Sequence, residues 1–168
     1  MFELRHDEQT LTDDPAGMAG DGHVVFIGRI SSPWCLREEC PKNMRQARER
    51  NAPATLVLDP AYRSGLAGLE GYSHIHILTW LHHSPRYLIV QKPRHAIEAK
   101  GVFAIRSPAR PNPIGLHTAT VMRIDQNSGV IELDAIDVLD GTPVLDIKPY
   151  FPSVDAIADA STPNKERT

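Results

Sequence analysis

The sequence predicts a mainly β protein: a small closed or nearly closed β-barrel with a few short helices. Three observations carry this. Seven or eight short β-branched or apolar runs recur along the chain, the helical signals are few, and the intervening turns are rich in Gly, Pro, Asn and Asp. With 168 residues the chain suits one domain. A domain of this size buries about 70% of its unfolded surface and needs no disulfide or metal staple.

In chain order, residues 1–23 read as a disordered or extended N-terminal tail, because TDDPAGMAGDG (12–22) has no periodic apolar face. Gly17, Gly20 and Gly22 precede the first strand, whereas a dinucleotide loop must follow one. VVFIGRI (24–30) is the first expected strand, and NMRQARER (43–50) the best helix. TLVL (55–58) is a strand stopped by Asp59-Pro60. AYRSGL (61–66) suits a helical turn or two, and GLAGLEG (65–71) a turn. SHIHILTWL (73–81) puts Ile75, Ile77 and Leu81 on one face, with His74, His76 and Trp80 on the other. RYLIV (86–90) and VFAI (102–105) are further strands. TATVMRI (118–124) and VIELDAI (130–136) form a hairpin about Asp125–Gly129. PVLDI (143–147) adds a strand, and Pro149 and Pro152 confine a last helix to about 153–160. The barrel domain is therefore 24–160 and the C-terminal tail 161–168.

Eighteen Lys and Arg against twenty-one Asp and Glu leave a net charge of −3, so charge alone does not advertise nucleic acid. No apolar run approaches the roughly 18 residues that span a membrane. MFELRHDEQT lacks the apolar core of a signal peptide, and a cytoplasmic protein is expected. Cys35 and Cys40 are too few for a disulfide framework and read as buried or partly buried thiols. His74, His76, His82 and His83 have no acidic ligand at a familiar spacing, so they read as barrel-lining or hydrogen-bonded side chains and no metal is expected. Arg45, Arg48 and Arg50 read as a solvated helix face, with contact to RNA phosphates as the alternative.

Two stretches carry chemistry. GVFAIRSPARPNPIGL (101–116) places Pro108, Pro111 and Pro113 within six positions. Each proline fixes its own φ and holds the preceding residue extended. The result is a stiff strap presenting Arg106, Arg110 and Asn112, with Gly115 allowing a close approach. IDVLDGTPVLDIKPYFP (136–152) sets Asp137, Asp140, Asp146 and Lys148 among apolar residues, where an unpaired charge costs several kcal/mol. Pairing of Asp137 or Asp146 with Arg106 or Arg110 is one expectation, and acceptance of hydrogen bonds from a ligand is the other.

These two stretches together resemble the TsaA-like, or YaeB-like, family, which includes the tRNA methyltransferase TrmO. IGRISSPW (27–34), CPKN (40–43) and LEGYSHIHILTWLHH (69–83) extend the similarity over about 24–160. The resemblance implies a small β-barrel that binds S-adenosylmethionine, works as a homodimer and methylates N6 of threonylcarbamoyladenosine at position 37 of tRNA. It implies cofactor contacts at Pro41, Lys42, Asn43, His82, His83, Arg106, Leu116 and the run Asp134, Ala135, Ile136 and Asp137. Lys42-Asn43 stands where the family has Arg-Gln, and His83 where it has Gln. Phe103 and Leu116 could wall the sulfonium, Arg106 could hold the carboxylate, and Arg110, Asn112 and Lys148 are candidates for the substrate. His82, Asp137 and Asp140 are the candidates for the acceptor nitrogen's proton. The acidic balance motivates a second reading, a non-enzymatic S-adenosylmethionine-binding or sensory module.

Overall fold

The computed structural model describes residues 4–17, 22–93 and 96–163. Gly20 and most of the expected C-terminal tail lie outside the described residues. The strands are β1 (Gln9–Thr10), β2 (Gly28–Ser31), β3 (Ala54–Leu58), β4 (His74–Trp80), β5 (Leu88–Gln91), β6 (Lys100–Gly101), β7 (Ile114–Asp125), β8 (Val130–Leu133) and β9 (Pro143–Pro149). Helices α1 (Met44–Glu49) and α2 (Pro152–Asp155) are short, and Pro60–Leu66 forms turns of 3-10 helix. Six strands close a barrel in the order β2-β3-β8-β7-β4-β9, with β9 returning to β2. Every pairing is antiparallel.

Alternation along the strands builds the core. Ile30, Leu56, Ile75, Ile77, Ala119, Ile131, Leu133 and Val144 point inward and are almost fully buried. Leu81 packs against this cluster, as the expected face of β4 requires, and Thr79 joins the buried side. His74 and His76 lie on the half-buried outer side of the strand, so they do not line the interior. The expected hairpin joins β7 to β8, with Gly129 at φ +75° closing the turn and Asp125 Oδ1 accepting from the Asn127 and Ser128 amides.

Several expected elements differ, each for a local reason. β2 starts at Gly28 because Val24, Val25 and Phe26 have no neighbouring strand and stand exposed. The run 86–90 becomes β5, which leaves the barrel and pairs with β1 and β6 in a separate three-stranded sheet. Gln9–Thr10, inside the expected tail, supplies one of that sheet's edges. Val102–Ala104 is a 3-10 turn and not a strand. Its carbonyls turn to the Arg110 guanidinium, which takes those of Val102 and Ile105 as well as Ser107. β8 ends at Leu133; the Asp134 amide still donates to the Thr120 carbonyl of β7 at 3.1 Å, and by Ile136 the backbone has turned to Trp34, whose Nε1 donates to the Ile136 carbonyl at 2.8 Å.

Candidate functional site

The strap runs from Ile105 to Pro113 and delivers the chain into β7. It is braced from inside. Arg110 donates from Nε to the Ser107 carbonyl at 2.8 Å and from Nη2 to the carbonyls of Val102 (2.8 Å) and Ile105. Arg86 donates to the Pro111 carbonyl at 2.7 Å and stacks over Trp80. Asn112 Oδ1 accepts a longer bond from Arg86. Arg106 is exposed and, among the described residues, makes one hydrogen bond, from Nη2 to the Leu116 carbonyl at 3.0 Å. An arginine carries five N–H donors, so most of its fork faces outward.

The run 134–137 is fastened from α1, from β7 and, at the Ile136 carbonyl, from Trp34. Asp134 accepts from the Thr120 amide at 2.8 Å and from Arg48 Nε of α1 at 2.9 Å, while Arg48 Nη2 donates to the Thr118 carbonyl. Burial pushes the Asp134 carboxyl up, but the Thr120 and Arg48 donors outweigh it and hold it below its ordinary range. Ala135 and Ile136 are fully buried, so their side chains belong to the core. Asp137 Oδ1 lies 2.6 Å from His117 Nδ1, and His117 Nε2 lies 2.9 Å from Thr79 Oγ1. Thr79 and Gly115 are partners across β4 and β7. A Cβ on Gly115 would fall 2.3 Å from Thr79 Oγ1 and 2.4 Å from His117 Nε2, so glycine is what leaves room for this chain of bonds.

Strap and acidic run are therefore both anchored on β7 at adjacent residues: the Leu116 carbonyl holds Arg106, and the next residue, His117, holds Asp137. The expected pairing of Asp137 or Asp146 with Arg106 or Arg110 does not form, because the arginines take carbonyls and the carboxylates take His117 and Lys148 (2.8 Å). Helix α1 borders the same region. Asn43 caps it, accepting from the Gln46 amide, while Lys42 is exposed and Pro41 buried. Arg45, Arg48 and Arg50 are exposed, as a solvated face requires, and two of them are also tied down: Arg48 to Asp134, while Arg50 donates to the Glu39 carbonyl and stacks over Trp34. Cys40, half-buried near Asp137, is pushed up to about 11 by burial first and by that negative charge second. Cys35, expected to be at least partly buried, is exposed.

His82 and His83 stack 3.8 Å apart, centroid to centroid, in the turn after β4. Burial, His83 and Arg29 lower the His82 pKa against the opposing bond to Trp80, favouring the neutral ring. Arg29 also donates to the Gly141 carbonyl. Asp140 is exposed and accepts from the Ser32 amide. Phe103 is 82% exposed and Leu116 50%. Two surface grooves lie elsewhere. One, about 520 Å³, is lined by Ser31, Pro33, Pro53, Thr55, Met122 and Glu132, and the other, about 450 Å³, by Tyr62, Leu69, Tyr72, Asp146 and Pro149. The site residues thus sit on a barrel edge, outside both. Among the described residues, no three His, Cys, Asp or Glu side chains form a metal-binding group. No helix among them is long and apolar enough to cross a membrane.

Sequence reasoning missed His117, Thr79 and the anchoring by Arg48. His117 and Thr79 are neighbours only once β4 and β7 pair, and the one signal available was Gly115, a glycine entering a strand.

Residues 29–156 match the family model of the tRNA-methyltransferase O N-terminal domain. The chain belongs to this family. A relative from Rhizobium radiobacter, named a probable S-adenosyl-L-methionine-binding protein VirR, is 42% identical over 130 residues, covering 77% of this chain and 71% of its own. The tRNA (adenine(37)-N6)-methyltransferase of Escherichia coli is 35% identical over 141 residues, covering 80% of this chain and 60% of its own. A crystal structure of TrmO from Pseudomonas aeruginosa superposes with a TM-score of 0.68 at 36% identity, covering 84% of this chain and 61% of that one. The chain thus spans about 60% of the length of these last two members of the TrmO family.

Proposed function

We propose that this protein is an S-adenosylmethionine-dependent methyltransferase acting on N6 of threonylcarbamoyladenosine at position 37 of tRNA, as a cytoplasmic homodimer built on the 24–160 domain. The observation that carries the reading is that adjacent residues of β7 hold Arg106 and Asp137, within a chain of the TrmO family.

The donor set fits the cofactor. Its carboxylate suits the outward donors of Arg106, its adenine suits main-chain groups of 134–137, and its sulfonium suits the exposed faces of Leu116 and Phe103. Lys42, Asn43, Pro41, His82 and His83 border these groups in the proposed pocket, and Arg110, Asn112 and Lys148 its substrate side. Bound S-adenosylmethionine supplies an electrophilic methyl group. The protein's part is orientation: a proline-stiffened, internally braced strap and a triply anchored acidic run lose little freedom on binding. Exposed Phe103, Ile114 and Leu116 give a second copy apolar surface to cover.

The test is transfer of labelled methyl from S-adenosylmethionine to tRNA from cells lacking this modification. Label in the nucleoside of position 37 supports the reading, and no label on any tRNA defeats it. A second reading, a binding or sensory module without turnover, is favoured by the name of the Rhizobium relative and by the net charge of −3. It predicts binding by calorimetry with no transfer.

A further inference from the structure

We propose that His117 is a positioning residue for methyl transfer: with Thr79 behind it, its buried imidazole aims the Asp137 carboxylate at the acceptor nitrogen. The inference rests on the methyltransferase reading above and adds to it the residue that takes the proton and the pair that holds it.

The geometry is a three-member chain. Thr79 is fully buried and His117 is 5% exposed, while the Asp137 side chain keeps 15% of its exposure. Polarity thus runs from the barrel interior to its edge. A neutral imidazole with its proton on Nδ1 satisfies the chain completely: Nδ1–H donates to Asp137 Oδ1, and the Thr79 hydroxyl donates to Nε2. With Nε2 protonated as well, the Thr79 hydroxyl proton would have no acceptor among the described residues. Such a pairing fixes both tautomer and ring orientation, because each nitrogen has one role. It leaves Asp137 Oδ2 without a hydrogen-bond partner among the described residues. That oxygen is the free end of the chain.

Burying an imidazole and a hydroxyl in a barrel lined by Ile and Leu is costly unless both are satisfied. An apolar pair would fill the same space more stably. The arrangement also demands Gly115, since a Cβ there would overlap both polar partners. Three positions on two strands are thus committed to orienting one carboxylate, next to the backbone that holds Arg106.

The other two candidate bases are placed differently. Asp140 is exposed and its carboxylate accepts from the Ser32 amide. His82 lies beside Arg29 in the turn after β4, with no bond to the 134–137 run. In the step assigned to Asp137, the C–S bond of the sulfonium breaks as the C–N bond forms. The nitrogen's proton passes to Oδ2, and the protonated Asp137 returns it to water after product release.

Two measurements test the proposal. The first needs no turnover: nitrogen-15 imidazole NMR of the free protein. A proton on His117 Nδ1, with a downfield signal lost in Asp137→Asn, is expected; a proton on Nε2 alone overturns the proposal. The second compares His117→Leu, His117→Asn and Thr79→Val in the tRNA assay. Leu and Asn share the same branched shape, but only Asn keeps a donor near the Nδ1 position. We expect His117→Leu to lower kcat about tenfold to a hundredfold, with the S-adenosylmethionine Kd within about threefold of wild type. His117→Asn recovers most of that loss. A role in packing alone predicts the reverse order, with Leu at least as active as Asn, and would overturn the proposal. Should His117→Leu not fold, Thr79→Val carries the test, with a several-fold drop in kcat expected and an unchanged kcat contradicting it. Wild-type protein that binds the cofactor but transfers nothing defeats the methyltransferase reading and this inference with it. Active wild type with an equally active His117→Leu defeats this inference alone.

Discussion

The strap and the β4–β7 seam hold polar side chains still by opposite means. In the strap, rigidity is local: three prolines restrict the backbone, and Arg110, only three to eight residues from its partners, ties the carbonyls of Ser107, Ile105 and Val102. In the seam, rigidity comes from residues far apart in sequence, with Thr79, His117 and Asp137 joined across two strands and a loop. One region can be read along the chain, while the other exists only once the barrel has closed. The difference also separates their roles. Arg110 stabilises the scaffold, and Arg106, with a single bond among the described residues, keeps most of its donors for a ligand.

Arg110→Ala should break the local side of the comparison. It removes a charged donor from three carbonyls and should destabilise the fold by about 3 kcal/mol, read by urea unfolding. A change within about 0.5 kcal/mol would mean that the prolines alone suffice. Gly115→Ala probes the seam. Its new Cβ would overlap Thr79 Oγ1 and His117 Nε2, and overpacking of this kind costs about 2 kcal/mol. A well-folded variant with an intact His117–Asp137 bond would show that the seam is looser than described.

Arg106→Ala sharpens the division of labour, because it should leave unfolding unchanged while weakening S-adenosylmethionine binding by about 1.5 kcal/mol in calorimetry. An unchanged Kd would remove Arg106 from the site. The smallest effect concerns His82. Its folded pKa is lowered, so the unfolded chain takes up this proton first as pH falls through about 6.5. Acidification across that range should therefore erode stability, and His82→Gln should flatten this part of the profile. An identical profile in the variant would contradict the assignment.

The same contrast explains what the sequence made legible. The hairpin at 125–129, helix α1 and the alternation of β4 follow from local rules, and all three form. Closure into a barrel followed from many short strands and few helices, but six strands close it, and the run 86–90 joins a separate sheet that periodicity could not assign. VFAI reads as a strand by composition, yet Arg110 draws its carbonyls into a turn. The strap's arginines look equivalent in sequence, and only their partners in space tell Arg110 from Arg106. His117 carries no signal of its own because its partners, Thr79 and Asp137, lie far off in sequence, and β alternation sends it to the face opposite Leu116.

The most direct test is a crystal structure of the protein with S-adenosylhomocysteine bound. The account predicts the ligand on the barrel edge, in contact with Arg106, Leu116 and the 134–137 run, with Asp137 still bonded to His117. A ligand seated instead in the groove between Ser31 and Met122, or in the one beside Tyr62 and Tyr72, would contradict it.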